Sequence, residues 1–177
     1  AADRIIAVSH RVAEQLVARY QQSPEKICVV HNAVEKDPLP DRAKLRKGLH
    51  EKFVLFLGRV TSQKGPDYFL QAAARVFKRS KLKKVRFIMG GTGDLLPKLI
   101  DEVARLHLEA RFHFTGFLPP CKRDELYAMS DLFVMPSVSE PFGIAPLEAA
   151  RNGIPVIISR QSGVAEVLPH AVLVDSG

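Results

Sequence analysis

Few cysteines, no long apolar run and no paired histidines are the first constraints that this 177-residue chain imposes. Cys28 and Cys121 lie far apart and match no metal-ligand spacing, so they are expected to be ordinary thiols in a reducing compartment. The histidines (His10, His31, His50, His107, His113 and His170) include no pair at i,i+3 or i,i+4, which argues against a zinc site. No stretch approaches the roughly 18 to 20 consecutive apolar residues that a membrane-spanning helix needs. The first nine residues do not form a secretory signal, because Asp3 and Arg4 interrupt them and no cleavage pattern follows. The expected location is therefore cytoplasmic. Without an initiator methionine, and with strand-like sequence at once, the chain is expected to be a piece of a longer protein.

A hydrophobic content of 46% and a charged content of 25% suit one globular domain with a sizeable core, and leave room for a fragment of a second. The net charge of +7 has two readings, a solvated basic face or an anionic partner. The densest run, Lys78, Arg79, Lys81, Lys83, Lys84 and Arg86, falls at the expected end of a helix, where cations complement the helix dipole. No aromatics interleave with these charges and no zinc-finger or RNA-binding motif is present, so nucleic acid is not expected as a partner. Peripheral contact with the inner face of a membrane stays open, although the run has no apolar face of its own.

Short apolar runs alternate with helical patterns along most of the chain. Residues 5–8, 27–30, 53–57, 85–89, 112–114, 132–135 and 155–158 are expected to be strands, most of them apolar on both faces, as strands covered on each side by helices are. Helices are expected over 67–77, 95–106, 123–129 and 146–151, the last stopping at Asn152-Gly153. This rhythm means βαβ units, hence an α/β fold with a Rossmann-like parallel sheet sandwiched by helices. Residues 31–51 break it, with Pro38, Pro40, mixed charges and a short helical stretch around 43–47. The expected organisation is an entry segment over 1–36, a linker over 37–51 and a Rossmann-like domain over 52–177.

Three loops follow strands and could carry chemistry. Gly58-Arg59 and then Lys64-Gly65-Pro66 place two cations and two glycines beyond the strand at 53–57, where ligands of open parallel sheets bind. Arg and Lys there would meet an anion. A plain βα loop with two exposed cations fits equally well. Gly90-Gly91-Thr92-Gly93-Asp94 matches neither Gly-x-Gly-x-x-Gly nor a Walker loop, and a tight turn with Asp94 as helix N-cap explains it as well as a phosphate loop does. In the stretch 136–150, Glu140 sits on a loop and Glu148 inside the following helix. Between them Gly143, Ile144 and Ala145 offer backbone N–H groups at a helix N-terminus, a site for a diphosphate. The carboxylates are poor phosphate ligands and suit neutral hydroxyls. The residues alone leave open a surface charge for Glu140 and a favourable first-turn acid for Glu148.

Glu140-x7-Glu148, within Ser-Glu-Pro-Phe-Gly, resembles the E-x7-E motif of family 4 (group 1) retaining glycosyltransferases of the GT-B fold. Gly58-Arg59-Val60 with Lys64-Gly65 is similar to that family's Gly-Arg-Leu…Lys-Gly element, and residues 148–157 to its Leu-Glu-Ala…Gly-x-Pro-Val-Val run. Residues 2–9 and 26–35 resemble its crossing between N- and C-terminal lobes. Departures are Asn32-Ala33 for the usual Asn-Gly, Ser162-Gly163 for Gly-Gly, and Pro169-His170 for Asp-Gly.

The resemblance implies the donor-binding domain of a retaining hexosyltransferase. Arg59 and Lys64 would neutralise the donor's diphosphate and, with Glu140, carry the catalytic role, without a cofactor or metal. Glu148 would take ribose hydroxyls and Glu140 hydroxyls of the hexose. Gly58, Phe142, Gly143, Ile144 and Ala145 would line the donor, and Gly116 and Phe117 would lie near the base. The expected partners are a nucleotide sugar (UDP-, GDP- or ADP-linked) and a carbohydrate or lipid-linked acceptor held by an absent N-terminal lobe. A monomeric fragment, inactive alone, is expected. The alternative is a non-catalytic nucleotide-binding or regulatory module of the same fold.

Overall fold

The computed structural model describes residues 2–35, 38–46, 48–79 and 84–175. Two parallel sheets organise them. A two-stranded one joins β1 (Ile5–Ala7) to β2 (Ile27–Val29). The other holds β3 (Lys52–Leu57), β4 (Val85–Gly90), β5 (Phe112–Gly116), β6 (Leu132–Met135), β7 (Val156–Ser159) and β8 (Val172–Val174). Its order is β5-β4-β3-β6-β7-β8, which in chain order is the doubly wound 3-2-1-4-5-6 arrangement. Every expected strand is present to within two residues at either end.

The apolar runs behave as strands with two buried faces should. Leu55, Leu57, Phe133, Met135 and Ile158 join one core, beneath α5 (Pro120–Met129) and α6 (Ile144–Arg151). Phe56, Phe87 and Met89 join the other, beneath α3 (Pro66–Arg79) and α4 (Leu96–Arg105). Successive residues Leu55 and Phe56 are both fully buried, on opposite sides. Such two-sided burial leaves no polar face, which is why the runs were continuous rather than alternating.

One local expectation needs correction. Asp94 is not a helix cap: Leu95 holds the N-cap position of α4 with no side-chain cap, while Pro97 lies in the first turn as expected. The glycines of that loop serve packing instead, since a Cβ at Gly91 would fall on the Gly58 carbonyl oxygen and one at Gly93 on that of Val60. The loop after β4 thus lies directly on the loop after β3. The short linker helix is α2 (Arg42–Leu45), capped by Asp41 and docked through Arg42 and Arg46 onto Asp131 and carbonyls at the end of α5. Lys47 lies outside the described residues, as do Lys81 and Lys83 of the basic run. Among the described residues no helix is long and apolar enough to cross a membrane.

An element absent from the expectation is α1 (His10–Tyr20). Ser9 caps it: the Ser9 hydroxyl accepts from the Val12 N–H and donates to the Pro141 carbonyl. Glu166, from the short 3-10 helix Gly163–Glu166 after β7, completes the cap by accepting from the His10 and Arg11 N–H groups at 2.9 and 3.1 Å. Its carboxylate also lies 2.9 Å from His31 Nε2. Burial alone would raise the Glu166 pKa, but these donors outweigh it and hold the group below its ordinary value. The histidines that looked scattered in sequence are therefore partly convergent: ligating atoms of His10, His31 and Glu166 lie within 4.8 Å of one another.

Candidate functional site

The strand order reverses between β3 and β6, and the crevice beyond their carboxyl ends is the ligand position of a doubly wound sheet. Two loops frame it. After β3, Gly58 donates to the Gly90 carbonyl, Arg59 is exposed, and a 3-10 turn (Ser62–Lys64) ends at Gly65 in the left-handed conformation. After β6, residues 136–143 lead into α6.

The two loops are joined to each other. The Val138 N–H donates to the Gln63 carbonyl at 2.9 Å, and Gln63 Nε2 donates to the Ser139 carbonyl at 3.0 Å. Gly65, with φ +68°, packs so closely that a Cβ would fall on the Pro136 carbonyl oxygen. Gly65→Ala is therefore expected to cost at least about 2 kcal/mol, combining left-handed backbone strain with displacement of main chain. A thermal melt checks this, and an unchanged Tm would contradict the packing.

Lys64 and Glu140 meet at this seam. Lys64 Nζ and Glu140 Oε2 form an ion pair with side chains only 16% and 8% exposed. Glu140 is fixed from behind, since its backbone bridges to Ser162 and its carbonyl accepts from the Gly163 N–H at 3.0 Å. The alternative of a plain surface charge for Glu140 is thus excluded. A charge this buried requires a partner, and Lys64 retains donors beyond the one engaged, because an ammonium carries three.

α6 starts at Ile144, two residues before the expected position, with Gly143 as its N-cap at φ +98°. Glu148 consequently lies past the first turn, where the helix dipole offers an acid little. Its two oxygens are held separately. The Tyr127 hydroxyl donates to Oε2 at 2.9 Å, and Arg123 lies 3.3 Å from Oε1. Burial, and then the neighbouring Glu148 carboxylate, push the Tyr127 phenol well above its ordinary pKa, so it stays protonated and donating.

A cleft of about 350 Å³ gathers Gly58, Arg59, Phe117, Ala145 and Glu148, five of the residues expected at the site. Ile144, exposed, lines an adjoining cleft of about 290 Å³ that Glu148 also borders. Gly143 packs against Glu140 Cγ. Gly116 stands at the rim, with its carbonyl accepting from the Gly91 N–H. Phe117 is 76% exposed beside it. Phe142 does not belong to the lining: it is 2% exposed and packs in the core beneath α6, with its ring 5.9 Å from that of His31. A larger cavity of about 750 Å³ between α3 and α4 is lined by Gly65 and Val138 of the two loops but by none of Arg59, Lys64, Glu140 and Glu148.

Arg123 and Tyr127 line the cleft but were not singled out from the sequence. Their i,i+4 spacing on α5 puts both on one helix face. That spacing is a weak signal, and only the fold shows that the face looks at Glu148.

A doubly wound α/β domain with a charged crevice at its switch point is the class that fold and geometry define. The chain belongs to the family described as glycosyl transferases group 1, which matches residues 39–177, while the glycosyltransferase family 4 description matches residues 1–37. It is 30% identical over 179 residues to an uncharacterized glycosyltransferase of Methanocaldococcus jannaschii, covering 96% of this chain and 45% of that protein. It is 36% identical over 186 residues to a D-inositol 3-phosphate glycosyltransferase of Streptomyces bingchenggensis, covering 97% of this chain and 40% of that one. The crystal structure of Anabaena HepE in complex with UDP and glucose superposes with a TM-score of 0.84 at 26% identity, over 99% of this chain and 50% of that one. The architecture is thus that of one lobe of a GT-B glycosyltransferase. The chain spans less than half the length of these curated relatives.

Proposed function

We propose that this chain is the donor-binding half of a retaining hexosyltransferase, and that it binds a nucleoside diphosphate sugar in the crevice between β3 and β6. The observation that carries the reading is the convergence of Arg59, Glu148 and the α6 N-terminus on one cleft, beside the buried Lys64–Glu140 pair. Arg59 and the free donors of Lys64 face the diphosphate, and the N–H groups of Gly143, Ile144 and Ala145 add the positive end of a helix. These cations stabilise the departing nucleoside diphosphate electrostatically, so the transfer needs no metal ion. Glu148, oriented by Tyr127, accepts ribose hydroxyls, and Glu140 accepts hydroxyls of the hexose. Phe117 and the backbone at Gly116 lie at the base. The sugar leaves to an acceptor on the same face, with the departing phosphate assisting its deprotonation. That acceptor, a carbohydrate or a lipid-linked one, sits on a second lobe, so this piece binds donor without turning it over. The UDP and glucose bound by HepE support the choice of ligand class and make UDP the first ligand to test.

Calorimetric or NMR titration with UDP, GDP and ADP checks the reading. At least one is expected to bind, and Arg59→Ala to weaken it by about 1.5–3 kcal/mol, a loss of roughly 10- to 100-fold, because the lost contact is charge-assisted. Absence of binding to all three, or binding indifferent to Arg59→Ala, overturns the proposal.

A further inference from the structure

We infer that Arg123 is a third anion-recognising residue of the donor site, supplying the excess positive charge that admits a diphosphate. This rests on the proposed function above. Arg59 and Lys64 are matched in number by Glu140 and Glu148, so those four residues together present no net charge to a ligand carrying at least two negative charges. A carboxylate beside the diphosphate position also repels it. Arg123 changes this balance. It lies 3.3 Å from Glu148 Oε1 and lines the same cleft as Arg59 and Ala145. It also borders the adjoining cleft with Ile144, at the start of α6. With Arg123 the group is net positive, and Glu148 is neutralised at short range while its Oε2 is held by Tyr127.

The guanidinium is poised for a second partner. Its side chain is 38% exposed, its contact with Glu148 runs through one terminal nitrogen, and its Nε is buried with no hydrogen-bond partner among the described residues. Five N–H donors in a planar fork allow an arginine to keep a carboxylate and take phosphate oxygens together. The two arginines stand on different elements, Arg59 on the loop after β3 and Arg123 on α5, so they approach the cleft from separate walls.

The test is titration of this chain with UDP, GDP and ADP, and with the matching uncharged nucleosides, for the wild type, Arg123→Gln and Arg123→Lys, with melts to verify folding. The expected result is that Arg123→Gln weakens the diphosphate about 10-fold or more, the scale of a charge-assisted contact. Nucleoside affinity stays unchanged, and Arg123→Lys recovers much of the loss. The gap between wild type and Arg123→Gln should narrow at high salt, where the screening length falls to about 3 Å. Equal diphosphate affinity in wild type and Arg123→Gln overturns the inference. So does an equal loss for diphosphate and nucleoside, or a gap indifferent to salt, since either makes Arg123 a mere orienter of Glu148. Failure of the wild type to bind any of the three diphosphates is a different outcome, and it brings down the proposed function itself.

Discussion

Lys64→Ala should unfold the protein at a markedly lower temperature as well as abolish tight diphosphate binding. Removing one member of a buried ion pair leaves the other charge desolvated and unpaired, at a cost of about 3–5 kcal/mol. Glu140, with its side chain 8% exposed and its backbone fastened to Ser162 and Gly163, has no easy route to water. In a domain of this size each kcal/mol moves Tm by about 2–4 °C, so a fall of roughly 6 to 20 °C is expected. The two consequences separate in a paired variant. Lys64→Met with Glu140→Gln removes both charges, and should recover most of the stability while leaving diphosphate affinity about 10- to 100-fold below wild type. Thermal melts and calorimetry on the single and paired variants decide it. If the single Lys64→Ala variant melts with the wild type, the ion pair is not the buried contact described, and Lys64 is free for the ligand alone.

Phe142→Ala is expected to act almost wholly through stability. The ring is 2% exposed and embedded with Met135, Ala149 and Val164 in the core beneath α6. Truncating a buried phenylalanine costs about 3–5 kcal/mol in lost transfer energy and cavity. Its carbonyl accepts from the Val164 N–H at 2.9 Å, a bond that the substitution leaves available. At a temperature where the variant is folded, its nucleotide affinity should therefore lie within about threefold of wild type, against the 10-fold or greater losses expected for charged contacts. A large affinity loss in a folded Phe142→Ala protein would instead restore the ring to the ligand's lining.

Much of the fold was legible because a parallel sheet with two covered faces writes itself as continuous apolar runs, such as 53–57 and 132–135. What was not legible depends on partners distant in sequence. No residue of α1 is buried, so its Val12-Leu16 and Ala13-Val17 pairs are a weak apolar signal beside the strand-like runs on either side. The Ser9 cap, a recognisable start signal, would have found it. At the site, Arg59, Lys64, Glu140 and Glu148 stood out through their resemblance to the E-x7-E and Gly-Arg…Lys-Gly motifs, since their chemistry and position alone fitted ordinary loop and helix charges as well. Phe142 stood beside them in the same motif, and nothing in the motif distinguishes a ring facing a ligand from one facing the core. Arg123 and Tyr127 belong to a different element from Glu148, and the contact among the three is a property of the crossover that lays α5 against α6.

The stitching of the loops after β3 and β6 has a consequence for redesign. Because Val138, Gln63, Ser139 and the Gly65–Pro136 contact tie the two loops together, an insertion or swap in residues 136–143 would drag Lys64 with it. Under the proposed function, the part of the site meant for the donor's phosphates would therefore change as a block or not at all. The rim at Phe117, 76% exposed and on a separate loop, has no such tether through its side chain. Under the proposed function, variation in base preference is expected to accumulate there, and a library aimed at exchanging one nucleotide for another belongs at that rim rather than along the seam.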